Sequence, residues 1–226
     1  MVDGISEQLR REVREGLTPV MRAHEFKGSA PSWRRTAPNG DCAIVNVQTM
    51  GTGSFDERCC IVHIAVVPVP WLQWIRSQYV GDPPKAISYG EGLYSDSLGP
   101  TKPRNLAEER GRLWVVDSSD SVRSAVADMA QQLITTGLPI CIRLLERANM
   151  IATIKDGNLG FVHSDGPSEF LERVLAIVIS DDGPSTELDG LLRRIKAHER
   201  KYGITDAILQ NMIDFARARS NPTRTM

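Results

Sequence analysis

The chain has 226 residues, 41% hydrophobic and 24% charged, with a net charge of −1. That composition excludes a disordered or rod-like protein, and the near-neutral balance excludes a global attraction to nucleic acid or an anionic membrane. A chain this long supports one large domain or two small ones, and it buries enough surface to fold without a disulfide or metal staple.

Residues 5–24 carry Leu9, Val13, Leu17, Val20 and Met21 at helical spacing, with charged side chains on the remaining surface. This is an amphipathic helix docked by one stripe, and Gly28 and Pro31 are expected to stop it. The period then changes. Ser32–Thr36 is a short strand carrying Trp33, Pro38-Asn39-Gly40-Asp41 is a turn signal, and Cys42–Met50 and Arg58–Val67 read as two longer strands around a Gly51-Thr52-Gly53-Ser54 turn. In the first long strand Ala43, Val45 and Val47 share one face, while Ile44, Asn46 and Gln48 share the other, as expected of a sheet with one covered face. Pro68 ends the second.

Val69–Tyr79 reads as a short helix with Trp71, Trp74 and Ile75 together. The stretch 81–111, with five glycines and four prolines, reads as a long loop with one short strand around Ile87–Tyr89; a loop of that length is often functional. Leu113–Val116 is a fourth strand. A helix capped by Ser118 or Ser119 runs from there to Thr136, ended by Gly137 and Pro139. Ile140–Arg147 reads as a separate turn or two, and 149–166 as mostly irregular. Helices follow to about Ser180, from Ser185 or Thr186 to Tyr202, and again after a cap at Thr205. The expected fold is α+β: an antiparallel four-stranded sheet with helices packed on one face, plus a C-terminal helical extension. Residues 1–150 form the α+β domain, and 151–226 the extension packing on it.

Phe26-Lys27-Gly28, Trp33-Arg34-Arg35, Val45-Asn46-Val47-Gln48 and Val62-His63-Ile64-Ala65-Val66-Val67-Pro68, with the preceding helix and the Trp114 strand and its helix, resemble the bacterial proteins grouped as domain of unknown function 4304. The resemblance covers roughly residues 5–145. It implies a helix plus an antiparallel sheet and carries over no activity, cofactor or catalytic residue.

No motif identifies a chemistry. The cysteines Cys42, Cys59, Cys60 and Cys141 lack CxxC spacing and read as reduced core thiols. The histidines lack HExxH spacing, so no metal set and no cofactor is expected. Gly51-Thr52-Gly53-Ser54 has neither the lysine nor the helix of a phosphate loop. The acidic Asp181, Asp182, Glu187 and Asp189 suit a helix junction. The N-terminus lacks an apolar signal core, and the longest apolar run, Ile61–Leu72, is broken by Pro68 and Pro70; a cytoplasmic location without membrane contact is expected.

The group that stands out is Trp33, Arg34, Arg35, Asn46, Gln48 and His63, which would line a polar sheet face. Tyr89, Tyr94 and Arg104, with Glu91, Asp96 and Lys102, would come over it from the 81–111 stretch. Arginine and aromatic side chains suit an anion or a stacked ring. Residues 156–190 carry eight acids and one base, and 191–226 eight bases and three acids. Arg193, Arg194, Arg200 and Lys201 could meet nucleic acid, but pairing with the acidic stretch or with a protein is preferred. Three readings follow. The leading one is a binding or regulatory module that engages a protein partner, with a homodimer left open. The second is a small enzyme or ligand-binding protein with its site on the polar face. The third, disfavoured, is nucleic-acid binding.

Overall fold

The computed structural model describes residues 4–51, 57–103, 106–161, 168–202 and 207–221. Helix α1 (Ile5–Ala23) buries Leu9, Val13, Leu17 and Met21, one residue per turn, as its stripe requires. It does not run to Gly28. Glu25 takes a left-handed φ of 64°, and the N–H groups of Glu25 and Phe26 donate to the carbonyls of Arg22 and Met21. That is a Schellman stop made without glycine, and the chain turns at once into β1 (Lys27–Ser29).

The sheet is antiparallel α+β in character, in the order β1, β2 (Ser32–Thr36), β3 (Cys42–Gly51), β4 (Arg58–Val67), β5 (Tyr94–Leu98). A further strand, β6 (Trp114–Val116), pairs with the start of β4. All four expected strands are present, and β1 and β5 complete the sheet. The expected turn at 51–54 lies mostly outside the described residues. The 81–111 stretch is more structured than its composition suggests. In place of a strand around Ile87–Tyr89 it holds a 3-10 turn at Tyr89–Glu91, then β5 against β4, then α3 (Leu106–Gly111).

One sheet face, with Ala43, Val45, Val47, Val62, Ile64 and Val66, is covered by α1 and by α4 (Ser119–Gln132), which bury Val122, Ala125, Val126 and Met129 in the same core. The helix does not end at Gly137 and Pro139. A π-turn over Leu133–Gly137 carries it into α5 (Leu138–Leu144). The wider turn accommodates Pro139, whose ring would clash with the carbonyl four residues back in a regular helix. Gly137 lies on the sheet: a Cβ there would sit 2.9 Å from Leu98 Cδ1 and 3.3 Å from Ile64 Cγ2. Part of the segment expected to be irregular is α6 (Arg147–Lys155).

On the opposite sheet face Cys42, Ile44, Ala65 and Val67 form a small second cluster under Trp71, Leu72, Ile87 and Tyr89. Trp71 belongs to α2 (Val69–Ser77). Outside it lie α7 (Ser168–Ile179) and α9 (Ala207–Ser220), with edge-on ring contacts Trp71–Phe170 at 6.4 Å and Trp74–Phe215 at 5.5 Å. Helix α8 (Thr186–Tyr202) packs on α7.

A buried ion chain ties these layers together. Asp41, in the β2–β3 turn, is fully buried. It accepts from Arg147 Nε at 2.9 Å and Nη2 at 2.6 Å, from the Val69 N–H at 2.8 Å and from Asn39 Nδ2 at 3.1 Å. Arg147 also reaches Asp181, which pairs with Arg219 at 2.6 Å. Among the described residues no helix is long and apolar enough to cross a membrane.

Candidate functional site

Strand register builds the floor of the site. Asn46, His63 and Ser97 are cross-strand neighbours on β3, β4 and β5, and Gln48 faces Ile61. All lie beyond the apolar Ile44–Ala65 pair, where the sheet emerges from under α2. His63 Nδ1 is 3.0 Å from Ser97 Oγ, and Nε2 is 3.0 Å from Gln48 Oε1. The Tyr89 hydroxyl donates to the same Gln48 oxygen at 3.1 Å, and its ring stacks on the imidazole with centroids 4.5 Å apart and planes within 5°. Burial lowers the His63 pKa below its ordinary value. Because Gln48 Oε1 can only accept, a neutral ring in this geometry donates to it from Nε2 and accepts at Nδ1 from Ser97.

The roof is held by a buried carboxylate. Glu91 receives Arg76 Nε at 2.7 Å and Nη2 at 3.1 Å, and the Ser88 N–H at 2.7 Å. Trp71 Nε1 donates to the Glu91 carbonyl at 3.1 Å. Burial alone pushes this carboxyl up, but the Arg76 and Ser88 hydrogen bonds outweigh it, and the net shift is downward. The 88–91 turn is thereby fastened to α2, which keeps Tyr89 over His63. Between roof and floor lies a cavity of about 540 Å³. Its floor is Ile61, His63 and Ser97, its roof Trp71, Ile75 and Tyr79. Phe161, 70% exposed, stands at its side with the Arg112 guanidinium 5.7 Å from its ring.

Of the side chains expected to form a site, the fold brings together Asn46, Gln48, His63 and Tyr89. Trp33 is not among them. It is fully buried on the opposite face, and its indole N–H has no hydrogen-bond partner among the described residues. Arg35 pairs in register with Ala43, on that same opposite face. It binds the His24 carbonyl at 3.1 Å and Glu25 at 2.7 Å. The arginine on the Ile44 side is Arg34, whose Nε donates to the Ile87 carbonyl at 2.8 Å. Tyr94 faces Val66 in the core, and burial pushes its phenol up to about 12. Asp96 pairs with Arg112, and Lys102 is exposed. Arg104 lies outside the described residues. Sequence reasoning missed Ser97, because Tyr94-Ser95-Asp96-Ser97-Leu98 carries no sustained apolar alternation. It also missed Arg76, because nothing local marks its partner fifteen residues on.

The other candidates are absorbed by the fold. Cys60 and Cys141 are pushed up to about 12 by burial, and Cys42 is raised for the same reason, so none of these three is a thiolate nucleophile. Asp181 is neutralised by Arg147 and Arg219, and Glu187 pairs with Lys155 at 2.8 Å. Arg194 pairs with Glu172 at 2.6 Å, while the side chains of Arg200 and Lys201 lie outside the described residues. Among the described residues there is no group of three or more His, Cys, Asp or Glu placed to hold a metal ion.

Comparison with curated proteins and with solved structures finds no match. A family model does match, from within α1 to within α5, residues 17–143. That is more than half of the chain, over the helix and sheet that carry the floor and roof just described, and the chain belongs to the family described as domain of unknown function (DUF4304).

Proposed function

We propose that this chain is a binding module, and that its site is the aromatic-walled cavity between α2, the 88–91 turn and the β4–β5 floor. One observation carries the reading: a preformed space of about 540 Å³ with Trp71, Tyr79, Tyr89 and Phe161 around it and His63 and Ser97 among its few polar points. Ligand pockets of this size are mostly apolar, with a small number of placed polar groups. The ligand class is a small, flat, largely apolar molecule that stacks on the rings and hydrogen-bonds the Ser97 hydroxyl. Binding rather than turnover is favoured because both His63 nitrogens are engaged and the nearby carboxylate of Glu91 is locked by Arg76. Cys42, Cys60 and Cys141 are buried as free thiols, which suits a reducing compartment, and we read the chain as cytoplasmic.

The test uses 2-naphthol followed by ligand-observed NMR. Saturable binding is expected in the native protein and its loss in Ile61→Trp, which fills the floor. No binding at millimolar probe, or equal binding by Ile61→Trp, overturns the reading. A second reading, a protein partner, is favoured by Tyr79 and Phe161, 46% and 70% exposed at the same opening. In that case the cavity takes a side chain of the partner, and Ile61→Trp abolishes pull-down while 2-naphthol does not bind.

A further inference from the structure

Strand β3 outruns its neighbour. β2 pairs with it only as far as Ser32 opposite Asn46, and the turn at Ala30–Pro31 precedes that residue. Pro31 accepts from the Val47 N–H at 2.8 Å but has no N–H to return, so the Val47 carbonyl stays open. Backbone groups point alternately to the two sides of a strand. The N–H and carbonyl of Thr49 therefore point the same way as the Val47 N–H, and among the described residues no strand lies there. On the other side β3 keeps an unbroken register with β4 through Gly51, so no bulge turns this edge away. Val47-Gln48-Thr49-Met50-Gly51 carries no charge and no proline. Native edges are commonly blunted by one of those devices, and this one is not. The edge forms the side of a groove against α1. A cavity of about 430 Å³ lies between Arg10, Val13 and Arg14 of α1 and β3 from Asn46 to Thr49. Through Arg10 and Thr49 it continues into one of about 190 Å³ that reaches Gly51 and Arg58. No carboxylate lines either cavity among the described residues. Arg58 is engaged by the Ser6 hydroxyl and the Glu57 carbonyl, each at 2.6 Å. Arg14 pairs with Glu15 at 3.7 Å, both more than half exposed. Arg10 is exposed and makes no ion pair among the described residues.

We infer that the β3 edge takes an extended segment of a partner protein as an added strand, and that this segment carries a carboxylate. The open groups of Val47 and Thr49 supply the main-chain hydrogen bonds, as in other cases of strand addition. At about 3.4 Å per residue the stretch from Val47 to Gly51 matches about four residues of extended chain. The unpaired Arg10 guanidinium at its side selects an acidic side chain on that chain. The same charge argues against a second copy of this chain as the occupant, because two such edges side by side would set Arg10 and Arg14 against their own duplicates. The inference does not depend on the aromatic cavity, and the variants below leave Asn46 and Gln48, which belong to both, untouched.

The experiment is fluorescence anisotropy of a labelled peptide, Val-Glu-Val-Glu-Val, titrated with the full chain. Saturable binding is expected, and added salt should weaken it. The same peptide with every amide N-methylated keeps its carboxylates but loses its backbone donors, and it should not bind. Val-Gln-Val-Gln-Val should bind more weakly than the acidic peptide. Arg10→Gln should weaken binding of the acidic peptide about fivefold, as for one exposed ion pair. Thr49→Pro removes an N–H that the β4 ladder does not use, and should abolish binding while the chain still melts cooperatively. Arg193→Gln, a loss of one exposed charge on α8, should change nothing. In the native chain the peptide should slow hydrogen exchange at the Thr49 amide, a readout that stands even where Thr49→Pro does not fold. Absence of binding at millimolar peptide, binding kept by the N-methylated peptide or by Thr49→Pro, an unslowed Thr49 amide, or equal loss in Arg193→Gln would each overturn the assignment. A dimer of the native chain that Thr49→Pro dissolves would give the edge to a second copy instead.

Discussion

Arg147→Met is the sharpest probe of what holds this fold together. The substitution keeps an unbranched side chain out to about the position of Nε and removes the guanidinium. Asp41 is then left fully buried with only the Val69 N–H and Asn39 amide as donors. Of the hydrogen bonds lost, the two to the Asp41 carboxylate are each worth about 1.5–3 kcal/mol, for a sum of about 3–6 kcal/mol, to which those to Asp181 and the Val178 carbonyl add. Stranding one member of a buried ion pair costs about 3–5 kcal/mol in other proteins, so the two routes agree. For a chain of 226 residues each kcal/mol moves the midpoint by about 2–4 °C, which predicts a fall of about 6–20 °C. Urea unfolding of the native chain, Arg147→Met, Asp41→Asn and the double variant measures the coupling. Asp41→Asn/Arg147→Met should recover part of the loss, because a neutral amide needs no counterion. A single variant within about 1 kcal/mol of native, as for an exposed pair, or strict additivity in the double variant, would refute the reasoning.

Three further outcomes follow from the same geometry. Burial lowers the His63 pKa, so between that folded value and the ordinary 6.5 the unfolded chain binds a proton that the folded chain does not; stability should therefore rise with pH through that window, be lost on acidification, and depend less on pH in His63→Gln, as melting curves from mildly acid to neutral pH would reveal. Only Cys59 of the four cysteines is part-exposed, so a thiol-reactive dye should label at most that one in the native protein and all four in denaturant; fast labelling of a second would contradict the burial of Cys42, Cys60 and Cys141. Gly137→Ala should cost about 1–3 kcal/mol by overpacking, because its new methyl would meet Leu98 and Ile64 within 3.3 Å, and an unchanged urea midpoint would show that α5 can move off the sheet.

Local patterns were legible where the chain obeys a single period. The stripe from Leu9 to Met21 and the alternation through β3 and β4 specify α1 and the sheet centre, because burial on one side selects those periods. The misreadings share a different cause. Glu25 supplies a left-handed stop that is normally read from glycine. Gly137-Leu138-Pro139 looks like a terminus, yet the π-turn before it absorbs the proline. Strand β5 is pinned by its pairing with β4 and by its place beside the Gly157–Phe161 segment, where the Ser95 N–H donates to the Leu159 carbonyl at 3.1 Å. None of the three is announced by residue type: the first two are set by local backbone geometry, and β5 by partners far off in sequence.

The candidate site divides the same way. Register alone puts Asn46, Gln48 and His63 on one face, and the period of two that places them there also puts Arg34, and not Arg35, beside Ile44. Arg35 and Trp33 share the opposite parity, and only their residue type, not the period, speaks for a place in the group. The roof was beyond reach, since it depends on Glu91 finding Arg76 from another element. Asp41 shows the same dependence across the edge of the family match. That carboxylate lies inside the matched segment and its guanidinium four residues beyond it, while Asp181 and Arg219 extend the chain of charge into α7–α9. A buried carboxylate is tolerable only with its counterion. The turn that starts β3, and with it the register that carries His63, therefore draws on helices that the shared pattern does not include.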